Sequence, residues 1–283
     1  MNRILCRTLS LLAALWLPLP ATADNHQRVI SIDGSITEIV YALQAAEHLV
    51  AVDTTSRYPQ AATRLPDVGY MRQLSAEGIL ALQPDLILAS TDAGPDSVFV
   101  QLQEAGVRVE RIANRYSVDG VLHKVQRVAA ALGYDAQGQA LMADIQASVR
   151  AAQAMIPGQA TPPAALFILG AGNRGLMAAG QHTQADAMLA LLGARNVMTY
   201  AGYKPASAEA ILQADPQVVL VAHTGPASGD GLAEQLAMTA AAGNGRIHTL
   251  DTSLVLGFGP RIGTALEQLV PLLYPPEAVS GAR

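Results

Sequence analysis

The stretch Val68-Gly69-Tyr70-Met71-Arg72-Gln73-Leu74-Ser75-Ala76-Glu77-Gly78-Ile79-Leu80-Ala81-Leu82-Gln83-Pro84-Asp85-Leu86-Ile87-Leu88-Ala89 decides the fold, because it reads as a loop, a helix and a buried strand in one run. Ser75 stands where a helix cap belongs, Ile79, Leu80 and Leu82 supply an inward face, and Pro84 stops the helix just before a short apolar run. Tyr70 and Arg72 are left on the loop ahead of the cap. A tyrosine in such a loop usually packs its ring on its own domain, so more than this segment is needed to give it a function.

The same order returns in Gly202-Tyr203-Lys204-Pro205-Ala206-Ser207-Ala208-Glu209-Ala210-Ile211-Leu212-Gln213-Ala214-Asp215-Pro216-Gln217-Val218-Val219-Leu220-Val221-Ala222. Ser-Ala-Glu-x-Ile-Leu, a proline and an apolar run ending in alanine recur, with Glu209 132 residues beyond Glu77. That distance is too long for a solenoid repeat and suits two lobes built alike. A Gly-Tyr followed by a basic residue precedes the helix each time, so the two copies could face each other across a cleft.

Working outward, residues 1–23 carry Arg3 and Arg7, an apolar run from Leu9 to Leu19 broken by Pro18, and then Ala21-Thr22-Ala23. This is the pattern of a cleaved export signal. The apolar run is far shorter than the ~20 residues that span a bilayer, which argues against direct membrane insertion. The one cysteine, Cys6, precedes that run, where a lipid-bearing cysteine would have to follow it. The mature chain is therefore expected to be soluble, periplasmic and free of disulfides, and it is long enough to bury a core without them. A formal charge of −5 argues against nucleic acid and against an anionic membrane surface as partners.

The first lobe is expected over residues 24–133. Val29 to Ile32 reads as a buried strand, Asp33-Gly34 as a turn, and Ser35-Ile36-Thr37-Glu38 as a capping box opening a helix to Ala45. Leu49 to Val52, Leu86 to Ala89 and Val107 to Val109 are further strands with helical patterns between them, which implies a mainly parallel sheet covered on both faces. The Gly34 turn invites a nucleotide site, but it lacks the further glycines of a dinucleotide fingerprint, and no P-loop run occurs. Residues 134–158 read as a linker helix. One helix of ~20 residues is ~30 Å long, enough to run from lobe to lobe as a strut, with an ordinary surface helix as the alternative. The second lobe, residues 159–283, repeats the alternation: strands at Ala164 to Leu169, Val218 to Val221 and Ile247 to Leu250, helices at Ala185 to Leu192 and Ser207 to Ala214, and a last helix from Arg261 to Leu273. Two α/β lobes on one linker leave one cleft, and clefts between domains hold small ligands.

Four segments carry a family resemblance: Gly69 to Gly78, Met177-Ala178-Ala179-Gly180 with Ala185-Asp186-Ala187-Met188, Gly202-Tyr203-Lys204-Pro205, and Leu256-Gly257-Phe258-Gly259-Pro260-Arg261. Over nearly its whole mature length the chain resembles the periplasmic haem-binding proteins that deliver haem to bacterial ABC importers, in the helix-hinged class that also binds vitamin B12 and siderophores. The resemblance implies two similar lobes joined by one long helix, with ferric haem in the cleft as cargo. It implies Tyr70 as the axial ligand to haem iron, with Arg72 steadying the phenolate or the propionates and Tyr203, Lys204 and Arg261 lining the haem site. Glu77 and Glu209 would dock onto arginines of the permease. The implied partners are a permease dimer, its ATPase and, upstream, a TonB-dependent outer-membrane haem receptor; the protein itself is expected to be monomeric. Some members add a histidine after the first strand of the second lobe to hold a second haem. Leu166-Phe167-Ile168-Leu169-Gly170 has none here, so a second haem is not carried over.

The chemistry agrees. Phenolate is a hard anionic donor suited to ferric iron, and tyrosine is an axial ligand type for haem. Free tyrosine ionises near a pKa of ~10, so a neighbouring cation and the iron itself must favour the anion. Arginine also pairs well with carboxylates. Other cargoes remain open on the same fold: a corrinoid, a ferric siderophore, or a free transition-metal ion held by ligands from distant loops. The six histidines are scattered, with no His-x-x-x-His or Glu-x-x-His pair, and no Gly-x-Ser-x-Gly elbow occurs, so a binding protein is favoured over an enzyme.

Overall fold

Strand β1 (Val29–Ile32) alternates its side chains between two cores, and that alternation organises the first lobe. Val29 joins one apolar cluster, while Ile30 and Ile32 join another on the opposite face. The molecule is described here by a computed structural model covering residues 27–158, 161–170, 176–205, 207–223 and 236–275. The expected export signal with Cys6, Ala206 and the glycine-rich stretch after Ala222 lie at least partly outside those residues.

After β1 come α1 (Gly34–Ala42), β2 (Leu49–Val52), α2 (Ala76–Leu80), β3 (Leu86–Ser90), α3 (Asp96–Glu104), β4 (Arg108–Ile112) and α4 (Val118–Leu132). The strands form one parallel sheet in the order β2-β1-β3-β4, with Val29 opposite Leu49 and Leu86. Helix α5 (Asp135–Ala154) follows. The second lobe holds β5 (Ala164–Gly170), β6 (Leu176–Ala179), α6 (Gln184–Leu191), β7 (Arg195–Asn196), β8 (Tyr203–Pro205), α7 (Ala208–Ala214), β9 (Val218–His223), α8 (Ala240–Gly243), β10 (Ile247–Asp251), α9 (Thr252–Leu256) and α10 (Ile262–Leu273).

The sequence repeat is a structural repeat. In the second lobe β7, β5, β9 and β10 are parallel in the order in which β2, β1, β3 and β4 stand in the first. The lobes differ in one respect that the patterning missed: β6 runs antiparallel to β5, and β8 antiparallel to β6. Pro205 ends this edge strand, where its missing N–H costs no ladder bond. The same ribbon bears on a second glycine run, Gly170-Ala171-Gly172-Asn173-Arg174-Gly175, which the reading of the Gly34 turn passed over and most of which lies outside the described residues. That run has the glycine spacing of a dinucleotide fingerprint, but the chain continues into β6, whereas the fingerprint needs a helix N-terminus for the pyrophosphate.

Two local expectations are corrected. Helix α1 is not opened by a Ser35–Glu38 capping box: Asp33 is the cap, accepting from the Ser35 amide at 2.8 Å, and Glu38 turns away to Arg261. Ser75 occupies the cap position of α2, but its side chain accepts no hydrogen bond there, whereas Ser207 caps α7 by accepting from the Ala210 amide at 3.1 Å.

Helix α5 is more than a strut. Its buried residues Ile145, Val149 and Ala152 belong to a continuous apolar cluster that includes Val40, Leu88 and Val128 of the first lobe and Phe167, Leu220 and Leu266 of the second. Helix α10 returns along α5 so closely that a methyl group at Gly263 would run into Ser148. Each sheet thus buries one face in a core shared between lobes and the other in a core of its own, built on Ile87 and Phe99 in the first lobe and on Leu166 and Val219 in the second.

Candidate ligand site between the lobes

Ligands of open parallel sheets bind beyond the carboxyl ends of the strands. In the first lobe those ends release Asp33, Asp53, Asp92 and Asn114 after β1, β2, β3 and β4. The loop bearing Tyr70 is fastened across this edge by its backbone. The Thr54 amide donates to the Gly69 carbonyl at 3.1 Å, the Gly94 amide to the Met71 carbonyl at 2.8 Å, and the Leu74 amide to the Gly94 carbonyl at 3.1 Å. Gly69 has a φ of +93°, which a side chain would strain. Met71 and Leu74 are buried as anchors, while Tyr70, just ahead of Met71, is 43% exposed. Neither Tyr70 nor Arg72 makes a side-chain hydrogen bond among the described residues. The loop therefore holds a phenol rigidly by its backbone and leaves the hydroxyl available.

Tyr203 is held differently. It begins an edge strand, is half-buried, and donates its hydroxyl to Gln184 Oε1 at 3.2 Å. Burial pushes its hydroxyl pKa up, and hydrogen bonding at Ala185 and Thr183 partly offsets this. Gln184 Nε2 in turn donates to Tyr116 Oη of the first lobe at 3.1 Å, and Tyr116 donates to Asp92 Oδ2 at 3.4 Å. Burial first, then the Asp92 charge, push the Tyr116 hydroxyl up to about 12; Arg72 acts in the opposite direction, so its charge reaches Tyr116. Of the two Gly-Tyr copies, the second is thus tied by hydrogen bonds into a polar chain that crosses between the lobes, Tyr203 to Gln184 to Tyr116 to Asp92. Lys204 is exposed, its Nζ 4.7 Å above the Tyr200 ring.

Arg261 is committed elsewhere. Its guanidinium pairs with Glu38 and lies 3.6 Å over the Tyr58 ring, at a junction where the segment before α10 meets α1. Lys124, 1% exposed, reaches the same junction and donates to Ser35 Oγ at 2.6 Å, Asn114 Oδ1 at 2.8 Å and the Phe258 carbonyl at 3.3 Å. Sequence patterning did not single out Asp92, Tyr116, Lys124 or Gln184. The available signal was position alone: Asp92 and Tyr116 follow carboxyl ends of parallel strands. Glu77 and Glu209 are both exposed in the first turns of α2 and α7. Among the described residues no group of three His, Cys, Asp or Glu could hold a metal ion, and no helix is long and apolar enough to cross a membrane.

Comparison with known proteins places this architecture. Residues 29–254 match the periplasmic binding protein family. The periplasmic haem-binding protein BhuT, solved in complex with two haems, is 42% identical, with a TM-score of 0.81 over 87% of this chain and 97% of that one. An uncharacterised ABC transporter substrate-binding lipoprotein of Bacillus subtilis, YvrC, is 26% identical over 88% of this chain and 80% of its own length. The vitamin B12-binding protein of Pectobacterium carotovorum is 28% identical over 69% of this chain and 71% of its own length. With its two helix-linked α/β lobes and the family match over most of its length, the chain belongs to the periplasmic binding protein family, as an ABC-transporter substrate-binding protein of the haem, B12 and siderophore type.

Proposed function

We propose that this protein captures ferric haem between its lobes and delivers it to an inner-membrane ABC permease and its ATPase, after export and removal of residues 1–23. The observation that carries the reading is the Tyr70 loop, which holds an exposed phenol rigidly at the carboxyl edge of the sheet. Tyr70 ligates the iron. Arg72 and Lys204, both exposed cations, meet the propionates, and Tyr203 lines the cleft. Arg261, spent on Glu38, bears on the ligand only through the lobe junction.

The 42% identity to a haem-binding protein supports haem over a corrinoid. The vitamin B12-binding relatives make the corrinoid the second reading. Haemin and cyanocobalamin titrations of the purified protein separate the two. Haem cargo gives a saturable Soret band with the charge-transfer absorption of a phenolate-ligated ferric haem, and Tyr70→Ala loses that absorption. Saturable cyanocobalamin binding without a Soret response rejects haem, and an unchanged spectrum and affinity in Tyr70→Ala rejects the ligand.

A further inference from the structure

Two braced polar half-chains meet at one hydrogen bond between the lobes. On the side of the first lobe, Lys124 holds Asn114, Asn114 Nδ2 donates to Asp92 Oδ2 at 3.2 Å, and Asp92 Oδ2 also accepts a hydrogen bond from the Tyr116 hydroxyl. On the side of the second, Tyr203 donates to Gln184. Among the described residues, the 3.1 Å contact from Gln184 Nε2 to Tyr116 Oη is the one hydrogen bond that joins these two halves across the lobes. The Tyr116 ring is also fixed from behind, 5.5 Å from the ring of Phe258, which is itself buried at the lobe junction.

We propose that Tyr116 and Gln184 are ligand-positioning residues whose contact across the lobes forms the floor of the cleft, fixing how far a bound haem enters and at what tilt it meets Tyr70. The inference rests on the haem reading above. Tyr116 is half-buried and so keeps some accessible surface, and Gln184 uses one of its two amide hydrogens on Tyr116. The loop of Tyr70 is hydrogen-bonded through Met71 and Leu74 to Gly94, two residues beyond the Asp92 that accepts from Tyr116, so floor and iron ligand belong to the same edge of the first sheet. Tyr116 and Tyr203 both spend their hydroxyl protons on hydrogen bonds, to Asp92 Oδ2 and Gln184 Oε1, so in this arrangement they act as donors. A floor carried by one hydrogen bond between two rigid halves resists the ligand without a large rearrangement of either lobe.

The test uses the full mature protein and haemin, comparing wild type with Tyr116→Phe, Gln184→Ala, and the double variant, by titration and by induced circular dichroism in the Soret region. Tyr116→Phe keeps the ring on Phe258 and removes both hydrogen bonds of the hydroxyl. Both single variants should keep the phenolate charge-transfer band, lose affinity about three- to tenfold, and change the Soret dichroism, which reports haem tilt. The double variant should lose little more than either single one, because both act through one contact. Gln184→Met fills the same space without the amide and takes the place of Gln184→Ala if that variant melts early. Native affinity and dichroism in the variants, beside a wild type that binds haemin, overturns the inference and leaves the haem reading standing. A wild type with no Soret response overturns both.

Discussion

Arg261 holds Glu38 across the two lobes through two charge-assisted hydrogen bonds, Nε to Oε2 at 2.8 Å and Nη2 to Oε1 at 2.6 Å. The Glu38 side chain is only 7% exposed, on the first helix of the first lobe. Burial pushes its carboxyl above the usual carboxylate range, and Arg261 offsets this in part. Burial also opposes the charge on Arg261, but there the pairing wins and holds the guanidinium more firmly protonated.

The consequence is asymmetric. Arg261→Ala strands a buried carboxylate and should destabilise the protein by roughly 3 kcal/mol in urea unfolding. Adding Glu38→Gln to that variant removes the stranded charge and should recover most of the loss. Haemin affinity should change far less than stability, because the pair belongs to the junction. A double variant no more stable than Arg261→Ala, or a haemin affinity that collapses with Arg261, rejects this assignment.

Lys124 predicts a pH dependence. Burial pushes its pKa down from 10.5, with Asp33, Asp92 and Glu38 pulling it back in part. The folded state therefore binds fewer protons than the unfolded chain between the lowered folded value and the ordinary lysine value. Stability from this group is absent below that window, rises with pH through it, and is complete above the unfolded value. Lys124→Met removes the titration and leaves Asn114 Oδ1, Ser35 Oγ and the Phe258 carbonyl without their donor. Its stability deficit against wild type should widen as pH is raised from 6 towards 10 in paired thermal melts. A deficit that stays constant over that range means the pKa is not lowered.

The parts of the fold that sequence revealed are those whose period is local. Leu86 to Ala89 and Val218 to Val221 are strands because β-branched and other apolar residues run unbroken there, and α5 spans Asp135–Ala154, inside the 134–158 expected for the linker helix and four residues short of its end. The antiparallel ribbon escaped notice because β6 has four residues, β8 three, and each is stabilised by pairing more than by its own pattern. The site divides the same way. Tyr70 stood out because a repeat frames it. Tyr116 and Gln184 lie 68 residues apart, and Lys124 and Ser35 lie 89 apart, so nothing local marks either contact. On an amphipathic helix Lys124 reads as a surface charge until the fold brings the second lobe over it.

Cargo binding should move the lobes little. One apolar core runs through both lobes and α5, and Arg261–Glu38, Lys124 with the Phe258 carbonyl, and Tyr116 against Phe258 fasten them further. Opening by a wide hinge would have to expose that core and bend a continuous helix. X-ray scattering of the apo and haemin-loaded protein should give radii of gyration that agree within experimental error. A clear contraction on loading means that the lobes swing despite these ties.

Glu77 and Glu209 set the last prediction. Each is exposed in the first turn of its helix, two residues past a serine, and the helices α2 and α7 occupy equivalent places in the two sheets because β3 and β9, which follow them, are equivalent strands. Carboxylates in a first turn are stabilised by the helix macrodipole, which by itself explains why glutamate suits both positions. A docking role asks more: one charge per lobe, offered to a permease whose two subunits present the same basic patch, so that a pseudo-symmetric protein meets a symmetric partner charge for charge. Reversal of both to lysine should cost little stability, roughly 1 kcal/mol or less from the lost dipole interactions at exposed sites. Haemin affinity and the Soret spectrum should stay native, since neither residue belongs to the proposed haem contacts, while transfer into vesicles bearing the permease and its ATPase should be abolished. Single reversals should each weaken transfer, because each lobe contributes one of the two contacts. Transfer at the native rate by the doubly reversed protein returns both glutamates to helix-start charges, and loss of haemin by that protein moves them from the docking face to the ligand.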